Sequence, residues 1–504
     1  MIPQAVDVLM IQPPVTKKQA LEDPVIEAYF TAVDKNLGTL VGDSPYEINW
    51  GLKGIAEYIL YKNPDTKIKM LDLNFMDRDK RSEGMGFLTP EDAEAAIVKY
   101  KPKITLLSFM TQSYAEWGCD LAQAARKVSD YVFVGGIHPT VQYHHVMADL
   151  GLNIDGVIVG EGEKICQDLV ANFDDIDRLI ENNDSILTWE KYGSPRIPKD
   201  YAAPVRATIS EADFQKAIPS RYDLFKEYKD KISVRINTSW GCVGECGFCS
   251  VGSFFKKCGV RRKTVDQIMN EIRALDRLNL SDKQFVFGDL CMFDDSSLSN
   301  ELLERMIKLK LSGRMPYQWW CQTRADKVTK ELCEKLKEAG CKQVAIGCES
   351  GSDEQLQKIS KGVTVAQIKD SLKMIRDADM ETQCYWIIGL PGDSFQAVRQ
   401  TQNKIIEYLK EDLCTVPHIS TLVPYPGTPL FCAAQESAVL SGIDIRDYDF
   451  ENYWMNCDRH GCGKPVYNTV GETGKILLDS DQIYDLWLDT LQKVTDFANK
   501  KSRN

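Results

Sequence analysis

Apolar and polar positions along this chain follow two rhythms. Short runs rich in β-branched residues, Val6–Ile11, Lys67–Leu73, Ile104–Phe109, Tyr131–Val134 and Asp155–Val159, read as strands. Between them, Trp50–Tyr61, Pro90–Tyr100 and Glu116–Val128 carry apolar residues at helical spacing, with Leu52, Ile55, Tyr58 and Ile59 on one face. Alternation of strand and helix calls for a parallel sheet, because parallel strands need crossover connections. Residues 1–175 therefore predict a doubly wound α/β domain, with its ligand outside the carboxyl ends of the strands.

The alternation resumes near residue 231. Ile232–Asn237, Gln284–Phe287, Tyr317–Gln322, Gln343–Cys348, Gln383–Ile388 and Val416–Val423 predict six strands. Thr264–Leu278, Leu298–Leu311, Lys330–Ala339, Val365–Ala378 and Phe395–Glu411 predict the helices between them. Six units over 231–430 are too few for a closed eight-unit barrel. Residues 176–230 are polar and irregular and read as a linker, and 431–504 end in a helix over Gln482–Lys500.

The 504 residues suit two or three domains. A net charge of −12 argues against a nucleic-acid surface. No apolar stretch approaches a membrane span, and the start reads as lacking a signal peptide, so the expectation is a cytoplasmic chain. Most of the 16 cysteines, Cys333, Cys341, Cys348 and Cys384 among them, sit singly on apolar segments and read as reduced, buried small hydrophobes.

Three are different. Cys242, Cys246 and Cys249 form a C-x3-C-x2-C run directly after the first strand of the second set. Three thiolates so close in sequence can ligate three irons of a [4Fe–4S] cubane and leave the fourth iron open. A ferredoxin run would be tighter, with a fourth Cys before Pro. A zinc site would need a fourth ligand and a second pair, and no second pair follows. Cys457 and Cys462 flank His460. A metal-binding reading of that segment stands beside a plainer one in which it lines the substrate opening.

The C-x3-C-x2-C run, Ile346-Gly-Cys-Glu-Ser-Gly-Ser, Ile388-Gly-Leu-Pro-Gly and Pro424-Tyr-Pro-Gly-Thr-Pro resemble the radical S-adenosylmethionine (SAM) enzymes that carry a cobalamin domain. The resemblance implies a (β/α)6 partial TIM barrel. It also implies an open iron that chelates SAM, and cleavage of SAM to a deoxyadenosyl radical. Active-site residues of α/β barrels sit at strand carboxyl ends. The SAM contacts implied there are Phe248, Gly288, Asp289, Arg324, Glu349, Ser350, Gly389 and Leu390. Taken singly, Gly389 reads equally as a turn residue, Arg324 as a surface ion pair and Glu349 as a helix cap.

In the first half, Ile11-Gln-Pro-Pro, Val134-Gly-Gly-Ile-His-Pro-Thr and Val159-Gly-Glu-Gly-Glu resemble the upstream cobalamin-binding, Rossmann-like domain of that group. No G-x-G-x-x-G follows the first strand, which speaks against a dinucleotide. The resemblance places cobalamin at Gln12, Ser108, Thr111, Ser113, Gly135, Gly136, His138, Gly160, Glu161 and Glu163. None of the five histidines lies in the D-x-H-x-x-G loop whose His ligates cobalt in related proteins. His138 reads equally as a corrin contact and as a locally packed loop residue. Methylthiotransferases need three N-terminal cysteines, and this half has only Cys119 and Cys166.

The activity implied is methyl transfer from SAM through cobalamin to an unactivated carbon or phosphorus of a small-molecule or peptide substrate. A radical cyclisation, rearrangement or ring contraction without methyl transfer is the alternative. Either needs an external electron donor of the flavodoxin or ferredoxin kind. The resemblance gives 1–175 to cobalamin, 231–430 to the radical SAM barrel and 431–504 to the substrate side.

Overall fold

A computed structural model describes residues 3–14, 24–37, 48–189, 208–216, 218–228, 232, 234–251, 259–275, 284–315, 317–423, 425, 427–430, 468–471 and 475–501. The chain divides into two compact units, one of Met1–Thr16 with Pro45–Ile232, the other of Lys17–Ser44 with Ser233–Asn504.

The first unit is built on a six-stranded sheet of β1 (Gln4–Gln12), β2 (Ile68–Asp72), β3 (Tyr100–Ser108), β4 (Tyr131–Gly135), β5 (Gly156–Ile158) and β6 (Ile186–Leu187), in the order β2-β1-β3-β4-β5-β6. All pairs are parallel except β5 with β6. Val8, Leu9, Met10 and Ile11 are wholly buried, as expected of a strand covered by helices on both faces. The strand order reverses between β1 and β3, and the crevice at that reversal is where open α/β sheets bind ligands.

The stretch read as a linker is partly ordered onto this unit. Ile176–Asn182 is helical, and Ile186–Leu187 closes the sheet edge. Lys62 reaches Asp213 at 3.0 Å, and the Glu57 carboxylate accepts the N–H of Arg221 at 2.7 Å. Such pairings join positions about 150 residues apart, so local polarity alone reads the segment as loop.

The second unit starts with β7 (Arg235–Ile236), followed by a short antiparallel ribbon of β8 (Ser239–Trp240) and β9 (Arg261–Arg262). Then come β10 (Gln284–Phe287), β11 (Gln318–Thr323), β12 (Cys341–Glu349), β13 (Glu381–Ile388) and β14 (Val416–Thr421). The main sheet runs β14-β13-β12-β11-β10-β7, parallel throughout, with β14 and β7 at its two edges. This is the six-strand open barrel expected from the alternation. Its helices start on side-chain caps: Thr264, Asp295, Thr329, Thr364 and Ser394 each accept a backbone N–H of the first turn. Thr264 with Gln267, and Thr364 with Gln367, complete capping boxes.

One helix departs from the sequence order. Pro24–Asn36 follows β1 in the chain but belongs to the second unit, where it packs on the C-terminal helix Ser480–Lys501. The buried Tyr29 hydroxyl donates to the carbonyl of Pro417 at 2.6 Å. Among the described residues no helix is long and apolar enough to cross a membrane.

Candidate functional site

The cysteine loop leaves β8 at Gly241, whose φ of 97° suits glycine; a Cβ there would meet the Gly259 carbonyl at 2.7 Å. Hydrogen bonds within the loop and to its neighbours hold it. The Gly244 N–H donates to Cys242 Sγ (3.3 Å), the Gly247 N–H to the Ile359 carbonyl (3.1 Å), and the Leu430 N–H to the Gly247 carbonyl (3.2 Å). A Cβ on Gly244 would stand 3.6 and 3.7 Å from the sulfurs of Cys242 and Cys246, and 2.9 Å from an Arg324 guanidinium nitrogen. The two thiols and a cation thus crowd the same side of Gly244.

Electrostatics separates the thiols. Cys242 is lowered to about 6, first by a hydrogen bond from the Cys291 thiol, then by the Gly244 N–H and the charges of Arg324 and Lys361, against burial. Burial raises Cys246 and Cys249, and for Cys249 the neighbouring Cys246 and Cys242 add to the rise. All three are free and half-buried. Among the described residues no three side chains converge on one ion, and a cubane does not ask that of them, since each thiolate takes its own iron. Three free thiols on one loop, with two cations in reach, fit a [4Fe–4S] cluster.

The other strand ends support this loop. Glu349, at φ 59°, ends β12 and pairs with Lys361 at 2.6 Å, both side chains buried. The Lys361 carbonyl accepts from Arg324 at 2.8 Å, and Arg324 also pairs with Asp326 at 2.8 Å. Asp289 is fully committed: it accepts from the Thr238 N–H (3.0 Å) and hydroxyl (2.8 Å) and from the Ser239 hydroxyl (2.6 Å). It pins the turn that delivers Cys242. Gly288 leaves room for Arg235 and Asn237, whose atoms lie within 2.5 Å of where a Cβ would be. Ser350 is buried against Thr401, its oxygen 3.2 Å from that hydroxyl. Phe248 is half-buried between the last two cysteines. The N–H groups of Gly389 and Leu390 donate to Asp393 at 3.1 and 2.9 Å, which shapes the backbone after β13. Burial raises Asp393 to about 7.

In the first unit, Gln12 and Ser108 meet through Asn49, whose amide donates to both, to Ser108 at 3.4 Å. This polar group lies at the carboxyl ends of β1 and β3, at the reversal of strand order. Gly135 is the register partner of Ser108. Gly136, at φ 109°, admits no side chain: its Cβ would lie 2.6 Å from the Phe109 carbonyl. A flat group can approach such a backbone closely, and the bare glycine pair beside a polar crevice fits a corrin or its tail.

The other implied cobalamin contacts are more scattered. The Gly160 N–H donates to Thr140 (3.0 Å), Glu161 accepts from the Ile209 N–H (3.1 Å), and Glu163 opens the helix Glu163–Ala171. Ser113 is buried and closes a turn with Met110. His138 is wholly buried and stacks on Tyr114, ring centroids 4.6 Å apart; burial lowers it to about 3. The side chain of Thr111, and Cys457, His460 and Cys462, lie outside the described residues.

Residues 236–405 match the model of the Radical SAM superfamily, and residues 66–170 match that of the B12 binding domain. The chain belongs to the radical SAM enzymes that carry a B12-binding domain. It is 26% identical over 337 residues to the anaerobic magnesium-protoporphyrin IX monomethyl ester cyclase of Cereibacter sphaeroides, a match covering 64% of this chain and half of that protein. It is 25% identical over 354 residues to the bacteriochlorophyllide d C-12(1)-methyltransferase of Chlorobaculum tepidum, covering 70% of this chain and 69% of that one. The radical SAM methyltransferase TsrM of Kitasatospora setae, solved with cobalamin and a [4Fe-4S] cluster, shares the fold. Its TM-score is 0.66 at 15% identity, covering 98% of this chain and 89% of TsrM.

For such a radical SAM enzyme the cofactors are a [4Fe–4S] cluster, SAM and cobalamin. Sequence reasoning missed four residues that touch the predicted site residues: Lys361, Cys291, Asp393 and Asn49. Lys361 stands in an Ile359-Ser-Lys-Gly run shortly after Glu349-Ser-Gly-Ser, and Asp393 follows Gly389-Leu-Pro-Gly directly, so both had a local signal. In sequence Cys291 is one more single thiol among many, and Asn49, which caps the helix Trp50–Lys62, carries no motif.

Proposed function

We propose that this protein is a methyltransferase that moves a methyl group from SAM, through cobalamin, to an unactivated carbon or phosphorus of a small-molecule or peptide substrate. The observation that carries this reading is the three-thiol loop with its two cations in the same chain as a glycine-lined crevice at the strand reversal. When bound, the cluster supplies the electron that cleaves SAM, and cobalamin carries the methyl group. The chain's own residues supply placement. Cys242, Cys246 and Cys249 hold the cluster, and Arg324 and Lys361 offset the thiolate charge. Asp289 fixes the approach of the loop, and Asp393 presents the Gly389 and Leu390 backbone to SAM. Gln12, Asn49, Ser108, Gly135 and Gly136 line the cobalamin crevice. Residues 1–175 hold cobalamin, 231–430 form the barrel, and 431–504 face the substrate. The reaction runs in the cytoplasm with a flavodoxin- or ferredoxin-like electron donor.

The match to a cyclase favours a second reading, in which the same cofactors close or rearrange a ring without methyl transfer. SAM labelled in its methyl group separates the two. The label enters product under the first reading, whereas only 5′-deoxyadenosine accumulates under the second. Cys246→Ala is expected to abolish SAM cleavage, and cleavage at the wild-type rate would refute the cluster assignment.

A further inference from the structure

The segment after β10, residues 289–294, is pinned around one buried thiol. Asp289 holds it to Thr238 and Ser239, at the approach to the cysteine loop. The Met292 N–H donates to the Gln322 carbonyl at 3.0 Å, and the Met292 carbonyl accepts from the Thr323 hydroxyl, which ties the segment to the end of β11. Asp294 pairs with Arg262 of β9, in the ribbon that flanks the loop. Phe293 takes a φ of 68°, a left-handed conformation that a side chain of its bulk adopts only where the surroundings enforce it. Cys291 stands between these anchors, 3% exposed, and its thiol hydrogen bonds to Cys242 Sγ.

That contact gives Cys242 a side-chain donor besides the Gly244 N–H at 3.3 Å. The two nearby cations each carry an acid, Arg324 pairing with Asp326 and Lys361 with Glu349. The Cys291 thiol adds the positive end of a dipole without adding an anion, and burial keeps its proton on. Hydrogen bonds to the sulfurs of an iron–sulfur cluster are among the factors that set its reduction potential. A cluster that takes up one electron becomes more negative, so a donor to a ligand sulfur binds the reduced form more strongly and raises the potential. The cavity beside Cys291 is about 10 Å³, the lower limit for a single water. Trimming the sulfur away would therefore open room for a water that donates in its place, whereas a branched apolar side chain would fill that room.

We infer that Cys291 is a positioning residue that acts through Cys242: its thiol donates to that ligand sulfur and raises the potential at which the cluster accepts an electron from the external donor. The inference rests on the assignment of Cys242, Cys246 and Cys249 to a [4Fe–4S] cluster. The full-length protein, reconstituted anaerobically with iron and sulfide and kept free of SAM, is titrated with titanium(III) citrate and redox mediators while electron paramagnetic resonance follows the reduced cluster. Cys291→Val fills the space and removes the donor. It is expected to disfavour reduction about threefold, a fall in midpoint of about 30 mV. Cys291→Ala, which covers the case in which the valine variant fails to fold, is expected to lose about twofold, or about 18 mV, because water replaces part of the donor. Cys291→Ser keeps a donor, and its midpoint should stay above that of the valine variant. A midpoint within about 1.5-fold of wild type, about 10 mV, in a folded valine or alanine variant of unchanged iron content would overturn the inference. So would a serine variant as low as the valine one, or a folded valine variant that has lost iron, since Cys291 would then be a ligand. A wild-type protein that takes up no cluster refutes the cluster assignment and this role with it, whereas an intact cluster with an unmoved midpoint refutes the role of Cys291 alone.

Discussion

Replacing Lys361 by Met isolates one interaction beside the cysteine loop. Lys361 and Glu349 are 2.6 Å apart, with 9% and 8% of their side chains exposed. Burial by itself would lower the Lys361 ammonium; the charges of Glu349 and Cys246 and the hydrogen bond to Glu349 outweigh it and hold the group above its usual range. Met keeps the aliphatic stem and the main-chain carbonyl that Arg324 uses, and removes only the cation. Glu349 is then a buried carboxylate without its partner, at a backbone φ of 59° that already resists rearrangement. Removing one member of a buried pair costs about 3–5 kcal/mol. For a unit of this size that lowers the melting midpoint by roughly 5–8 °C. Scanning calorimetry should show the shift in the transition of the second unit alone. Adding Glu349→Gln to Lys361→Met removes the stranded charge and should recover more than half of the loss. If Lys361→Met melts within about 1 °C of wild type, or the double variant is worse than the single by the full cost of a second lesion, the pair is not a mutually dependent buried unit.

Two further predictions concern the first unit. Asp72 caps the helix Leu73–Ser82 through Oδ1, while Oδ2 has no partner among the described residues, and burial raises the carboxyl to about 8. Between about pH 4 and pH 8 the unfolded chain releases this proton and the folded chain keeps it, so stability falls as pH rises through that window. Asp72→Asn retains the cap and should stabilise the unit by on the order of 4 kcal/mol at pH 7, with the gain vanishing below about pH 4. A loss of stability at pH 7.5, read by urea titration, would contradict this. Gly136→Ala places a Cβ 2.6 Å from the Phe109 carbonyl at φ 109°, and should cost roughly 2 kcal/mol or more, whereas the neighbouring Gly135→Ala, 3.5 Å from the Ile158 carbonyl, should cost about 1 kcal/mol or less. Equal melting midpoints for the two variants would show that the crevice backbone is not so confined.

Both sheets could be read along the chain because their signals are local. Val8–Ile11 is a run buried on both faces, Thr264 and Thr364 announce their helices three residues ahead of a glutamine, and Cys242, Cys246 and Cys249 lie within eight positions. Each of these depends on neighbours a turn or a strand away, so residue order alone determined the alternation, the six-unit count and the grouping of three thiols in one loop. Tertiary structure decided what distant residues do to one another. Asp289 is turned from an open strand-end acid into the clamp of Thr238 and Ser239, some 50 residues earlier. His138 is taken into the interior against Tyr114. Tyr29 is carried across 388 residues to Pro417, which moves an N-terminal helix into the second unit. Hydrophobic period fixes which face of an element is buried but not which partner buries it, and the free energy of a buried charge depends on the partner. The thiol loop was therefore visible in the sequence, while the contacts that Cys291 and Asn49 make exist only once the chain has folded.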